Sequence, residues 1–203
     1  MTEIFSQDRN PQMCNLYRLD APANQIAAVF DADLGRDPWE GGYVAPRKFA
    51  PVIVRGSDGV RRMIPRQWGV PPPPRGDRPV TNVRNLASPF WIGTLRHTEF
   101  RCLVPVTRFQ EWGGEKGRRT QHWFSVPSEP VFAFAGIWRD SEVLSFAFLT
   151  TEPNSLVGPV HPKAMPMILH PEDHEAWLTA DWKEAQQLVS PYPAQLMMME
   201  TSA

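Results

Sequence analysis

Short apolar runs separated by turn residues dominate the chain and predict strands. Residues 51–54 and 60–64 are two such runs, and the turn signal Ser57-Asp58-Gly59 between them is typical of a β-hairpin. The prolines at residues 71–74 cannot donate backbone hydrogen bonds, so we expect an extended loop there. Further strand-like runs lie at residues 100–106, 122–126, 131–138, 144–151 and 165–169.

Helical spacing is found in only a few places. Asp20-Ala21-Pro22 precedes Ile26 and Phe30, which predicts a short helix. Residues 171–178 and 181–189 carry acidic side chains near their starts, which favour helix N-termini. Strands that follow one another with few helices between them indicate an α+β fold. We therefore predict a single domain with a curved, mainly antiparallel sheet, a barrel-like core and peripheral helices.

Composition narrows the class of protein. The chain has 203 residues and 42% hydrophobic content, enough for one sizeable core. It has no uncharged apolar run of roughly 18 residues, and its first residues lack the apolar segment of a signal peptide, so we expect a cytoplasmic protein without a membrane span. Two cysteines, Cys14 and Cys102, are too few for a disulfide framework. Strand alternation places Cys102 on the face of Val104 and Val106, hence in the core.

Positive charge is concentrated in the middle of the chain, although the net charge is −1. Residues 47–101 contain ten arginines and one lysine against three acidic residues. The planar guanidinium group suits phosphate, so this segment is a candidate surface for a polyanion. A solvated arginine-rich surface without a partner explains the same composition.

Four polar residues stand among apolar or aromatic neighbours: Cys14, Asn82, Glu111 and His161. Burial of Glu111 at the end of a strand would raise its pKa towards the range of a general acid or base, but a glutamate paired with an arginine is the alternative. His161 can carry protons or have a structural role, and Asn82 can act catalytically or stabilise a turn. For Glu111, His161 and Asn82, the residues alone leave both the catalytic and the structural interpretation open.

Common catalytic and metal motifs are missing from the sequence. It has no glycine-rich nucleotide fingerprint, no Gly-x-Ser-x-Gly and no His-Glu-x-x-His. His170 and His174 have i, i+4 spacing without an evident third ligand. We therefore expect neither a metal nor a cofactor.

Four motifs occur in a characteristic order and spacing: Met13-Cys14-Asn15-Leu16-Tyr17, Thr81-Asn82-Val83-Arg84-Asn85, Arg101-Cys102-Leu103-Val104-Pro105 continuing to Phe109-Gln110-Glu111-Trp112, and Pro159-Val160-His161-Pro162-Lys163-Ala164-Met165-Pro166. Together they resemble the SOS-response-associated peptidase (SRAP) family, from about residue 13 to residue 182. No single motif is specific, but their order and spacing are.

The resemblance implies a single α+β domain that reacts with abasic sites in single-stranded DNA. A free α-amine on Cys14 has a pKa of about 8 and can attack the aldehyde of the sugar, after which the thiol of the same residue closes a thiazolidine ring. The family motifs assign proton transfer to Glu111, opening of the sugar ring to His161, and contact with the amine or the sugar oxygen to Asn82.

The resemblance also implies DNA contacts and a partner. Arg84 and Lys163 would neutralise phosphates, Trp68 and Pro46 would offer faces to bases, and Thr150 would add a hydroxyl contact. The partner would be single-stranded DNA containing abasic sites, and we expect a monomer.

Two features depart from the family pattern. Many relatives carry Gly-Arg after the cysteine where this chain has Asn15-Leu16, and Arg18 is the candidate replacement for the missing arginine. Residues 1–13 precede Cys14, and while they are attached its nitrogen is an amide. We therefore expect this leader to be removed or non-native, and residues 14–203 to form the domain.

Two rival functions remain open at this point. A cysteine peptidase, whether or not it processes itself, would use Cys14 as nucleophile, His161 as base and Asn82 as orienting group. A non-catalytic reader of single-stranded DNA would rely on the arginines and tryptophans.

Overall fold

The computed structural model describes residues 14–74, 76–115 and 118–202; the predicted leader at residues 1–13 lies outside the described residues. The strands are β1 (Tyr17–Leu19), β2 (Gly42–Val44), β3 (Phe49–Arg55), β4 (Arg61–Trp68), β5 (Asn82–Val83), β6 (Arg101–Val106), β7 (Arg108–Gly113), β8 (Thr120–Ser125), β9 (Phe132–Asp140), β10 (Leu144–Thr151), β11 (Met165–Pro166), β12 (Ile168–Leu169) and β13 (Met198–Ser202). The α-helices are α1 (Ala23–Val29), α2 (Ile92–Arg96), α3 (His174–Thr179) and α4 (Trp182–Ala185). Short 3₁₀ turns lie at Thr98–Phe100, Pro171–Asp173, Gln186–Leu188 and Ala194–Leu196.

Five strands close into a ring. β3 pairs with β4 and β6, β6 pairs with β9, and β9 pairs with β10, all antiparallel. β10 then pairs with β4 in parallel, which closes the barrel. Closure leaves none of the five strands with a free edge. The predicted α+β fold, with a barrel-like core of mainly antiparallel strands and peripheral helices, is confirmed.

A second sheet packs against this barrel, in the strand order β13-β8-β7-β1-β2. Its inner face contributes Tyr17, Phe109 and Phe124, which are fully buried. The rings of Tyr17 and Phe109 lie 6.2 and 5.7 Å from the ring of Phe134 in the barrel wall. The start of β1 is thereby fixed against the core, which holds the residues just before it in place.

Close packing inside the barrel is strictest at Gly136 in β9. A Cβ atom there would lie 2.6 Å from Cγ2 of Val104 and 2.8 Å from Sγ of Cys102. Cys102 is fully buried and unbonded to the other cysteine, as strand alternation predicted. This residue is therefore part of the core.

Arg101 ties the C-terminal helices to the barrel, although it is an arginine with no exposed surface. Its guanidinium donates to the carbonyl oxygens of Leu95, Trp177 and Ala180 at 2.7–3.1 Å. The same group lies 5.6 Å from the ring centroid of Trp182. The sequence analysis counted Arg101 in the candidate surface for a polyanion, but its guanidinium group stabilises the fold instead.

Most predicted elements are present, with shorter helices than expected. The predicted hairpin is β3–β4, and the helix after Pro22 is α1. The run at residues 165–169 is two strands on different partners, β11 on β10 and β12 on β9. Between them, the N–H of Met167 donates to Leu149 in β10 and its carbonyl accepts from Ala135 in β9. Within the part of the chain that the structure describes, no helix is long and apolar enough to cross a bilayer.

Candidate functional site

Cys14 lies just before β1, beside β7. Its Sγ atom is 3.6 Å from the carbonyl oxygen of Leu16, and that oxygen also accepts the backbone N–H of Gln110 at 3.0 Å. The side chain is only 2% exposed. Burial, and then the negative charge of Glu111, raise the pKa of the Cys14 thiol well above its usual range. The thiol is therefore protonated at neutral pH.

Glu111 stands next to the backbone nitrogen of Cys14. The pairing of Tyr17 with Phe109 brings the residues before β1 alongside Glu111 on β7, and its carboxyl accepts a hydrogen bond from the N–H of Cys14. Burial raises the pKa of Glu111 to about 8, against the lowering effect of that hydrogen bond. Among the described residues no arginine pairs with Glu111, so the structural alternative from the sequence is not observed. A carboxyl with this pKa can both give and take a proton near neutrality.

Asn82 reaches Cys14 from the other side, because β5 pairs in parallel with β10 and places Asn82 opposite Phe148. Its Nδ2 atom is 3.5 Å from the carbonyl oxygen of Cys14 and 2.9 Å from Oγ1 of Thr81. The amide group thus fixes the peptide plane that follows the nitrogen of Cys14.

His161 lies in the loop between β10 and β11 and is 6% exposed. Its Nδ1 atom is 2.8 Å from the carbonyl oxygen of Ala164. Because a carbonyl only accepts, Nδ1 carries the hydrogen and Nε2 keeps its lone pair in the neutral ring. No hydrogen bond joins His161 to Cys14, Asn82 or Glu111 within the described ranges.

Three buried polar atoms of this group have no hydrogen-bond partner among the described residues: Oδ1 of Asn82, Oε1 of Glu111 and Nε2 of His161. Buried polar atoms in folded proteins are nearly always paired, and an unpaired one costs about 1–3 kcal/mol. Unpaired atoms from three separate elements are typical of a site that a bound molecule completes.

Arg84 and Lys163 adjoin the same group at the surface. Arg84 follows Asn82 by two residues, and its guanidinium donates to the backbone carbonyl of Lys163. The guanidinium also forms an ion pair of 2.8 Å with Glu152. The structure therefore brings together the two residues predicted to contact phosphate.

The model of the SOS response associated peptidase (SRAP) family matches residues 13–203. The chain belongs to the SRAP family. The match begins one residue before Cys14 and also includes Asn82, Glu111 and His161. No curated protein sequence matches the chain.

Solved structures share the SRAP fold seen here. A protein from Bacteroides thetaiotaomicron has a TM-score of 0.75 at 23% identity, covering 93% of this chain and 91% of its own. A protein from Bordetella bronchiseptica has a TM-score of 0.77 at 19% identity, covering 94% and 100%. A phage-related protein from the same bacterium has a TM-score of 0.74 at 18% identity, covering 93% and 94%. These likenesses support the fold.

Two predicted DNA contacts do not fit the structure. Trp68 is fully buried, stacks on Phe148 at 5.2 Å and donates its indole N–H to Thr81 at 3.1 Å, so it offers no face to a base. Thr150 is 3% exposed, and its hydroxyl lies 3.5 Å from the carbonyl oxygen of Val83. Both side chains lie on the core side of the barrel, Trp68 in β4 and Thr150 in β10, and they support the candidate site by packing.

Trp112 closes the third SRAP motif, and the sequence assigned no role to it. Its side chain is 45% exposed. Alternation along β7 sends it to the face opposite Glu111. Strand alternation was the signal that could have indicated this exposure. Pro46, also predicted to contact bases, is half-buried just after β2.

Six of the nine arginines that the structure describes in the basic segment are engaged within the protein. Arg55 and Arg61 pair with Glu175, and Arg101 is buried; Arg62 pairs with Asp58, Arg66 with Asp140 and Arg84 with Glu152. The exposed cations of the described part of the segment are Arg47, Lys48, Arg55, Arg78, Arg84 and Arg96. Within the described residues, no three His, Cys, Asp or Glu side chains are grouped to hold a metal.

Proposed function

We propose that this SRAP protein cross-links covalently to abasic sites in single-stranded DNA through Cys14. The observation that carries the proposal is the hydrogen bond from the backbone N–H of Cys14 to the buried carboxyl of Glu111. The proposal requires that nitrogen to be an amine, and hence that residues 1–13 are absent from the reactive form.

The chemistry starts from the open-chain aldehyde of the abasic sugar. The amine of Cys14 attacks the carbonyl carbon and a C–N bond forms, while Glu111 passes one proton from the nitrogen to the carbonyl oxygen, which gives a neutral carbinolamine. Glu111 then passes the second N–H proton to the hydroxyl, so that the C–O bond breaks, water leaves and a neutral imine remains. Sγ adds to the imine carbon and its proton passes to the nitrogen, closing the thiazolidine with a net loss of one water.

Asn82 supports this sequence through two atoms and His161 through one. Asn82 holds the carbonyl of Cys14 through Nδ2, and its unpaired Oδ1 can accept a hydrogen from the amine. His161 has a lone pair on Nε2 that can take the proton of the anomeric hydroxyl and so open the sugar ring. Arg84 and Lys163, which are joined by the hydrogen bond from the Arg84 guanidinium to the Lys163 carbonyl, would neutralise phosphates beside the lesion.

The thiol argues against the rival cysteine peptidase. A nucleophilic cysteine needs a lowered pKa and a nearby base. Burial and the charge of Glu111 raise the pKa of Cys14 instead, and the thiol donates to Leu16 rather than to His161. A thiol is adequate for thiazolidine closure, since it reacts intramolecularly with an activated imine.

The test compares the full chain with a protein whose first residue is Cys14. Each is mixed with single-stranded DNA containing one abasic site and run on a denaturing gel. We expect a stable adduct from the Cys14 form and none from the full chain unless the leader has been removed. A confirmed N-terminal Cys14 that gives no adduct refutes the proposal. Adduct from a full chain shown by mass spectrometry to be intact refutes the need for the amine.

Comparison of Cys14→Ser with the wild type separates the role of the α-amine from that of the thiol. Cys14→Ser keeps the α-amine, so it should give only an imine, which borohydride traps and heat reverses. Cleavage of a generic peptide that disappears in Cys14→Ser would favour the peptidase. Strong DNA binding with no adduct from any form of the protein would favour the non-catalytic reader of single-stranded DNA.

A further inference from the structure

We propose that His122 is a positioning residue of the candidate site, whose imidazole carries protons between the buried carboxyl of Glu111 and solvent. The inference rests on the proposed function, because it assigns the path by which Glu111 gains and loses protons during imine formation. His122 lies outside the four SRAP motifs, between the third and the fourth.

His122 stands directly opposite Glu111 in the second sheet. The antiparallel pairing of β7 with β8 places these two residues side by side. Directly opposed residues have their side chains on one face, with Cβ atoms about 4.5–5.5 Å apart. That face is the inner one, because Phe109 and Phe124, two residues away on each strand, are buried and stacked in the core. His122 and Glu111 therefore share the inner face of the sheet.

The ring of His122 lies over Gly113, the next residue of β7 on the same face. A Cβ atom on Gly113 would lie 2.8 Å from Nε2 of His122 and 3.2 Å from Cγ1 of Val160, the neighbour of His161. The missing side chain leaves room for the imidazole between β7 and the loop that carries His161. Glycine at this position therefore gives the ring its place beside the site.

One nitrogen of the ring has a partner and the other has none among the described residues. Nδ1 of His122 lies 3.0 Å from Oγ1 of Thr201, which is opposite it on β13. An imidazole can take a proton at Nε2 and release one at Nδ1, which leaves the other neutral tautomer. Thr201 is exposed, so its hydroxyl continues the path from Nδ1 to solvent.

Glu111 needs such a path because the protein covers it. Its side chain is 3% exposed, and burial raises its pKa to about 8. At neutral pH the carboxyl therefore holds a proton that it must release before it can take one from the amine of Cys14. His122 is half-buried next to it. The proton of the carboxyl passes to Nε2 through one bridging water molecule, and Nδ1 releases its own proton towards solvent.

The charged and titratable groups around His122 leave Glu111 as its main electrostatic neighbour. Among the described residues, Glu111 is the acidic group that faces it from β7. His161 and Lys163 lie in the loop that packs beside Gly113. Glu200 on β13 points to the opposite face of the sheet, because it alternates with the residue that pairs with His122. A change in the charge of Glu111 should therefore be felt by the ring.

The first measurement is an NMR titration of the histidine rings in the full chain, with the His122 signal assigned as the one lost in His122→Ala. In the wild type this signal should show an inflection near pH 8, where Glu111 ionises, and Glu111→Gln should remove it. His97 is the control, because it is exposed and pairs with Glu99, so its titration should be the same in both proteins. No DNA is present, so the result does not depend on cross-linking.

The second measurement is the single-turnover rate of cross-linking by the protein that begins at Cys14. His122→Ala should be slower by roughly tenfold, a smaller loss than the roughly 100-fold or more of a group that touches the reacting atoms. Imidazole in the buffer should restore the rate, because it can enter the vacated space and carry the same proton. Thr201→Val keeps the ring but removes its Nδ1 partner, and should lose roughly 2- to 10-fold. His97→Ala should react as the wild type does.

The inference is overturned if Glu111→Gln leaves the titration of His122 unchanged, if His122→Ala cross-links at the wild-type rate, or if imidazole restores none of the lost rate. A wild type with a confirmed N-terminal Cys14 that gives no adduct refutes the proposed function instead. In that case the titration still decides whether His122 is linked to Glu111.

Discussion

Replacing Glu111 by glutamine should remove a pH dependence of stability that this buried carboxyl imposes on the full chain. In the unfolded chain the carboxyl has a pKa of 4.5, and burial raises it to about 8 in the folded protein. Between these values the folded protein holds a proton that the unfolded chain has lost, so the free energy of unfolding falls as pH rises through this range.

The size of the effect follows from the same two values. The interval from 4.5 to about 8 at about 1.4 kcal/mol per pKa unit corresponds to about 5 kcal/mol as an upper limit. Glutamine keeps the shape and cannot ionise. Glu111→Gln should therefore gain several kcal/mol relative to the wild type between about pH 5 and about pH 8.5, most of it by pH 8.

Urea denaturation at these two pH values measures the difference directly. Glu115→Gln is the control, because Glu115 is exposed just after β7 and its replacement should change stability by less than about 0.5 kcal/mol at either pH. If the difference between Glu111→Gln and the wild type were the same at both pH values, the carboxyl would not be held protonated by burial, and the proton-transfer role argued for it would fail.

Three further substitutions test the site and the barrel. Asn82→Ala removes the contact with the carbonyl of Cys14, and single-turnover gels should show cross-linking slower by roughly 2- to 10-fold, the worth of one neutral hydrogen bond. Gly136→Ala forces a Cβ atom against Val104, and urea unfolding should show a loss of about 1–3 kcal/mol. Arg101→Met leaves three buried carbonyl groups unpaired, and the same measurement should show a loss of at least about 3 kcal/mol.

Each of these has a control at an open position. Asn24→Ala lies on the exposed side of α1, Gly93→Ala would meet no atom within 4 Å, and Arg96 is exposed at the end of α2. Changes in a control as large as in its partner would show that the effect comes from the substitution type and not from the contact.

The sequence predicted those features of the fold that depend on residues close together in the chain. The hairpin of β3 and β4, the short helix α1 and the burial of Cys102 follow from alternation, turn residues and helix spacing, which depend on near neighbours. The burial of Glu111 could also be expected, because it continues an apolar run into β7.

Other features depend on pairings between distant segments, which no local pattern reports. Trp68 is buried because β4 lies between β3 and β10, and a tryptophan next to glycine in the sequence gives no sign of that. The charge count of residues 47–101 overstated the free positive surface, since Arg61 and Arg101 are used by partners from the C-terminal third of the chain.

The parallel pairing of β4 with β10 has a consequence for synthesis on the ribosome. β5, which carries Asn82, is also paired with β10, so neither barrel closure nor the contact of Asn82 with Cys14 can form until about residue 150 has emerged. Pairings between such distant segments fold slowly. A nascent or truncated chain therefore carries Cys14 without the assembled groups around it, and the proposed site, although it contains one of the first residues to be made, is completed among the last.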